Sequence, residues 1–548
     1  MIARPNSWLL AQVAVWAVLA LLLAWPLSGI VWSALLDRNN NVGFGNFAEI
    51  ISRPRHLRAI ANTMLVGIGG MVGALLLGIP LALLVARVRL RGRAAIQTLA
   101  VLALVSPPFI GAYAWIVMFG ANGFVRRGLM EIGIVLPTIY GAGGVILVFA
   151  CKFFPNVFLI VSAALGQVNR SLEEAAEGLG LSPTQRLWRV TLPLITPAIS
   201  AAALLAFVLS IADFGTPQLI GRDFEVLATQ AFQLYAAELG ENPGLASALS
   251  LMLVALSMLL VLGQRRLLRR DVFLGNALKT RPPARLAGWR NAAAHVAAYG
   301  IVALGTAPAL VVLVFSFRAT RGPVFQPGFG LASYERVFHA VTLPLWNTLL
   351  YSVGAVAGIV AVGTVIGYLI TRRKSRLTAM LDGVLMVPYV VPGVVMGIGF
   401  VAAFNAAPLA LTGTGAVIML AIFIRRLPYA ARASATALRQ LPPNLEDAAI
   451  SLGLSPGRAF LQVTARLILP GILAGGMMSF VTAMNELSSS LVLYVSGTIT
   501  MPVRIYIAVV NGDYGVAAAL SSILLGMTGI AVYVAFRLSD RRDAAFVA

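Results

Sequence analysis

The sequence predicts an all-α integral membrane protein of about twelve transmembrane helices, built as two parallel repeats. Three observations carry this reading. The chain is 59% hydrophobic and only 11% charged, with a mean hydropathy of +0.88, whereas soluble chains carry roughly 25% charged residues. Apolar stretches long enough to cross about 30 Å of hydrocarbon recur from end to end. One polar segment also occurs twice. Residues 173–183 read Glu-Glu-Ala-Ala-Glu-Gly-Leu-Gly-Leu-Ser-Pro, and residues 446–456, offset by 273, read Glu-Asp-Ala-Ala-Ile-Ser-Leu-Gly-Leu-Ser-Pro.

In chain order, spans are expected at 11–34, 60–86, 95–120, 143–164, 193–219 and 246–263, then at 293–316, 345–370, 379–404, 414–430, 469–495 and 516–537. Residues 1–34 are too long and apolar for a cleavable signal and read as a helix that stays. The halves align beyond the repeated segment. Asn62-Thr63 and Asn347-Thr348 open the second and eighth spans, Pro197 matches Pro470, and Phe207 matches Phe480. Both halves run in the same direction, as in parallel repeats about an axis along the membrane normal. The layout expected is a first helix and outer loop over 1–54, a first core over 55–264, an inner linker over 265–292, a seventh helix and outer loop over 293–342, a second core over 343–540, and an inner tail over 541–548.

The net charge of +21 does not point to nucleic acid, because no basic run is interleaved with aromatics. Basic residues collect instead in alternate loops, with four from Arg87 to Arg93 and eight from Arg265 to Arg290. Such loops face the cytoplasm, which places both termini inside. One outer loop, 38–58, is also basic. Cys151 is the single cysteine, and His56, His295 and His339 are far apart. That leaves no disulfide framework and no zinc spacing.

Each copy of the repeated segment reads as helix, tight turn, helix. Ser171 with Glu174, and Asn444 with Asp447, fit capping boxes. Gly180 and Gly453 supply stops, and Ser182-Pro183 and Ser455-Pro456 supply new starts. By local physics alone this is a well-capped re-entry loop. Its repetition presents two matched knobs to something symmetric below the membrane. Leu187, Trp188 and Val190, with Phe460, Leu461 and Val463, offer apolar contact at helical spacing.

Glu174-Ala175-Ala176, Gly180 after three intervening residues, then Val190, Leu192 and Pro193 resemble the EAA motif of binding-protein-dependent ABC importer permeases. The resemblance spans roughly 55–540 and implies two type I permease cores in the cell inner membrane. It further implies two cytoplasmic ABC ATPase subunits docked on loops at Glu174, Ala175, Ala176 and Gly180 and at Asp447, Ala448, Ala449 and Gly453, with a periplasmic solute-binding protein outside. The second copy departs from the motif, with Asp447 in place of Glu and Ala465-Arg466 in place of Leu-Pro. The segments Ser106 to Trp115, Ala212 to Pro217 and Asn511 to Gly515 look like the iron(III) branch. Fused permeases for thiamine and 2-aminoethylphosphonate look similar. The external binding protein selects the substrate in this family.

A Walker A loop needs Gly-Lys followed by Ser or Thr. Lys152, Lys279 and Lys374 follow Cys, Leu and Arg, so no ATP site of that kind is expected. ATP and Mg belong to the partner ATPase, and no catalytic group, metal or cofactor is expected in this chain. Asp213 and Glu486 align under the same 273-residue offset, and carboxylates within spans usually face a cavity. They read as helix-packing or capping groups, or as pathway or gate candidates. Counting from Pro193 puts Asp213 near the outer face. Lys152 reads as a buried or snorkelling cation and Cys151 as packing. A secondary transporter with inverted repeats would show opposed halves, and a membrane enzyme would need a catalytic cluster; neither pattern is present.

Overall fold

Proline and buried charge decide where these helices break. The structure, a computed structural model, describes residues 7–37, 41–105, 107–237, 243–267, 283–340, 342–373, 375–442 and 444–543. Most of the expected linker, with Lys279, and the end of the expected tail lie outside the described residues. Helices follow all twelve expected spans. Eight of those described are long and apolar enough to cross a bilayer. Two bent pairs raise the number to ten: Arg376–Val390 with Gly393–Phe404, at 105°, and Pro456–Leu467 with Leu469–Met484, at 74°. The other two are the Pro243–Leu267 helix and the Gly415–Gln440 helix, the second carrying Arg425 and Arg426.

Pro392 forces Val391 into extended backbone, with φ −69° and ψ 122°, as a residue before proline requires. The expected continuous spans 193–219 and 469–495 are each interrupted. Leu192–Ala212 stops before Asp213, and the short Gly215–Ile220 helix follows. Leu469–Met484 stops before Asn485, and Ser488–Leu493 follows.

The chain divides into two units. One comprises residues 51–230 and 252–315. There the Pro54–Arg87 and Ala142–Leu165 helices pack along their length, and a Cβ added to Gly73 would lie 2.5 Å from the Ala150 Cβ. Small residues permit this approach. The Gly288–Phe315 helix packs in the same unit, where a Cβ on Gly305 would meet the Phe154 ring at 2.5 Å. Tyr299 donates its hydroxyl to the Arg91 carbonyl at 3.0 Å.

The other unit comprises residues 1–50, 231–251 and 316–548. Here the Leu343–Arg372 and Gly415–Gln440 helices repeat the close pair, and a Cβ on Gly367 would meet Ser434 at 2.8 Å. The N-terminal helix packs in this unit. Trp8 stacks on Tyr368 at 4.1 Å, and Trp25 meets Phe404 at 5.2 Å. An antiparallel hairpin, Arg318–Arg321 with Val324–Phe329, turns at Gly322 with φ +59°. The layout expected from sequence has only an outer loop here.

The Asn-Thr pairs that open the repeats do the same work in each unit. Asn62 donates to the Glu225 carbonyl at 2.8 Å, and Thr63 accepts from the Leu227 amide at 2.9 Å. Asn347 donates to the Gly497 and Ile499 carbonyls, and Thr348 accepts from the Met501 amide at 2.8 Å. Each pair fastens the loop that follows the interrupted span.

Candidate functional site

The two polar loops share one backbone design. The Arg170–Gly178 helix ends in a turn where Leu181 N–H donates to the Ala176 carbonyl at 3.1 Å and Gly180 N–H to Glu177 at 2.9 Å. The Asn444–Ser451 helix ends likewise, Leu454 N–H donating to Ala449 and Gly453 N–H to Ile450. This double bond closes a helix with a left-handed residue, and Gly180 and Gly453 have φ of +80° and +95°. Ser182 and Gln185 form a reciprocal capping box at the next helix, whereas Ser455 makes no side-chain cap. Two expected caps fail. Asn169, not Ser171, caps the first helix by accepting from the Ser171 amide, and Asn444 is already helical. The short side chain nearest the true helix start takes the cap.

Within each loop the paired positions face opposite ways. Glu174, Ala175, Asp447 and Ala448 are exposed, and Ala176 and Ala449 are buried. Glu174 pairs with Arg170 one turn back at 2.5 Å. Glu173, which the motif does not include, is buried and joined to Arg87, and it accepts from the Thr191 hydroxyl at 2.8 Å. Its counterpart Glu446 accepts from Thr464 at 3.1 Å and from the Tyr368 hydroxyl at 2.5 Å. Thr191 and Thr464 close matching π-helical turns, Leu187–Thr191 and Phe460–Thr464.

Exposed apolar side chains cap both loops. Leu179 is 83% exposed and Leu452 88%, and Trp188 and Leu461 stand at 67% and 65%. Leu187, Val190 and Val463 are half-buried. Phe460, expected on this face, turns inward against Trp8 and Tyr368, at 5.3 and 4.8 Å. Leu179 and Leu452 escaped the sequence reading, although the 273-residue offset links them as it links Trp188 to Leu461.

The same offset relates two buried ion pairs. Lys152 binds Asp213, whose other oxygen accepts from the Thr216 amide at 2.8 Å. Arg425 and Arg426 each donate to Glu486 at 2.5 Å, and Glu486 Oε1 accepts from the Ser489 amide at 3.1 Å. Both carboxylates therefore cap the short helix after an interrupted span. Lys152 lies ten residues along its helix, about 15 Å, so Asp213 meets it near the helix middle. Counted from Leu192, where its helix begins directly after the polar loop, Asp213 lies just past the last helical residue, about 30 Å along. Lys152 also sits 4.7 Å from the Phe153 ring centre. A cavity of about 30 Å³ beside it is lined by Pro107, Gly111 and Trp115. Arg425 was not singled out from sequence, although Lys152 maps onto it.

The segment around Asp513 braces the hairpin. Arg336 donates to both Asp513 oxygens, at 3.2 and 3.3 Å, and a Cβ on Gly515 would meet Thr320 Oγ1 at 2.2 Å. Among the described residues, no group of three His, Cys, Asp or Glu side chains is placed to hold a metal.

The family model for binding-protein-dependent transport system inner membrane components matches residues 78–271 and 359–542. The chain belongs to that family. It is a permease subunit of an ABC importer, a multi-pass protein of the inner membrane. It is 30% identical over 518 residues to the ferric transport system permease protein FbpB of Actinobacillus pleuropneumoniae, covering 90% of this chain and 73% of that one. The Fe(3+)-transport system permease protein FbpB 2 of Haemophilus influenzae is 26% identical over 535 residues, 97% of this chain and 98% of that one. The putative 2-aminoethylphosphonate transport system permease protein PhnU of Salmonella typhimurium is 32% identical over 222 residues, 40% of this chain and 77% of that one. A crystal structure of a bacterial ABC transporter involved in alginate import matches at 21% identity and a TM-score of 0.38, covering 48% of this chain and 94% of that one.

Proposed function

We propose that this permease imports iron(III), delivered by a periplasmic solute-binding protein and driven by two cytoplasmic ABC ATPase subunits. The observation that carries the cargo is the likeness to a ferric permease over 90% of the chain. The matched turns at Gly180 and Gly453, with the exposed Leu179 and Leu452, support docking of one ATPase on each loop. Glu174, Ala175, Ala176, Asp447, Ala448 and Ala449 lie in the docking segments, and Asp213 and Glu486 stand as pathway or gate candidates. ATP and Mg bind to the partner subunits, and this chain needs no cofactor of its own. Both termini and the 265–292 linker face the cytoplasm.

Deleting the gene and measuring radioiron uptake under iron limitation tests the cargo, and uptake should fall to background. Unchanged iron uptake with lost growth on an aminophosphonate would move the assignment to 2-aminoethylphosphonate, a second reading that the PhnU relatives favour. A cytoplasm-only fluorescent reporter inserted near Ala287 should light up. A dark reporter there, with an active periplasmic one at the same site, would overturn the orientation.

A further inference from the structure

We propose that Arg425 and Arg426 form a binding station for an oxyanion, so that the cargo passes this depth as an oxyanion or an anionic iron(III) complex rather than a bare ferric ion. The inference rests on the permease reading and deepens it. The two repeats carry the same buried device with different charge. In the first, Lys152 and Asp213 balance. In the second, two guanidinium groups share the single carboxylate of Glu486, and Phe153 is the residue that maps onto Arg426. One positive charge is left over near the middle of a span, ten residues into the Gly415–Gln440 helix. An intramembrane charge without a balancing partner marks a functional site.

The donors needed for an anion are present. The Arg425 and Arg426 Nε atoms and the Ser490 Oγ are buried without a hydrogen-bond partner. The arginine side chains keep 13% and 18% of their surface open, against 2% for Glu486. Gly393 begins the twelve-residue Gly393–Phe404 helix, and a Cβ there would lie 2.7 Å from Arg425 Nη1. The guanidinium therefore packs against the positive end of that helix, which adds to the field. Planar guanidinium forks match carboxylate, phosphate and phosphonate geometry. A trivalent cation placed beside the same group meets repulsion that a low dielectric magnifies.

Two measurements on the importer, purified with its ATPase and binding protein, test the station. In the first, inorganic phosphate should raise the melting temperature of the wild type and leave that of Arg426→Phe unmoved, because a ligand stabilises the state that binds it. Equal shifts would overturn the station. In the second, proteoliposomes receive radioiron with labelled phosphate or citrate, or labelled 2-aminoethylphosphonate alone. Iron should enter together with a labelled anion, or the aminophosphonate should enter by itself. Arg426→Phe should cut uptake roughly tenfold and Arg426→Lys should restore part of it. Iron entering without either anion, or full uptake by Arg426→Phe, would overturn the proposal. A phosphate shift confined to the wild type, with no uptake of either cargo, would support the station and discard the cargo reading.

Discussion

Thr191 donates its hydroxyl to the Glu173 carboxylate at 2.8 Å, fastening the start of the first polar loop to the helix that leaves it. Thr464 and Glu446 repeat the contact at 3.1 Å. The remaining donors differ. Arg87 holds Glu173, whereas Tyr368, stacked on Trp8, holds Glu446. Each glutamate sits one position before the motif residue that faces outward, so it fixes the angle at which the exposed face is presented.

Glu173→Gln removes the charge that Arg87 requires and weakens hydrogen bonds that contribute roughly 2 kcal/mol when charged. Uptake should fall while the protein still inserts, and ATPase stimulation by the binding protein should fall with it. Glu446→Gln should do less, because its partners are neutral hydroxyls. Equal losses in the two variants would contradict the asymmetry.

Replacing Gly180 and Gly453 by valine tests the turns themselves. No heavy atom lies within 4 Å of a Cβ built at either position, so steric clash is not the obstacle. The cost is backbone, about 1–2 kcal/mol for a left-handed residue bearing a Cβ, and more for a β-branched one. The double variant should insert and lose transport. Full uptake would show that the turn geometry does not matter to coupling.

Periodicity and repetition made most of this architecture legible in sequence. Twelve apolar stretches, the Asn-Thr pairs, and the stops at Gly180 and Gly453 all depend on local rules. What escaped depends on tertiary pairing. Lys152 and Asp213 are 61 positions apart, and nothing local says that they meet. The caps were misplaced because Ser171 and Asn169 both suit the role and only the entering backbone chooses between them. The bend before Gly393 was hidden because an apolar run looks the same straight or broken.

At the start of the Pro54–Arg87 helix, Arg55 grips Glu225 through two bonds, at 2.5 and 2.9 Å, and Gln230 adds a third. Hydrogen bonding from Arg55 holds the Glu225 carboxyl below its ordinary value of 4.5, against a smaller opposing push from burial. A depressed carboxylate contributes stability above its unfolded value and loses it as pH falls through the folded one. Contact between this loop and the Pro54–Arg87 helix should therefore weaken only below about pH 4.5. Arg55 is largely exposed, so the effect is small. Amide protection factors of residues 222–227, taken against the intrinsic exchange rate at each pH, should fall on acidification in the wild type and stay level in Glu225→Gln. A level response in both would remove Glu225 as its cause.

The Lys152–Asp213 pair gives the sharpest test of the buried charges. Removing one member strands the other in a low-dielectric setting, at a cost of about 3–5 kcal/mol. Lys152→Met should therefore lower the detergent melting temperature and expression strongly, and Asp213→Leu should do the same while also losing the cap on Thr216. The double variant should recover most of the first loss, because an apolar pair of similar volume is often as stable as the ion pair it replaces. Recovery should stop short by roughly 1 kcal/mol, the contribution of the cap that leucine cannot provide. If the double variant melts as low as the sum of the singles, the two residues act independently and the pairing does not explain their burial. If it melts near the wild type yet fails to transport, the pair serves the pathway as well as the fold.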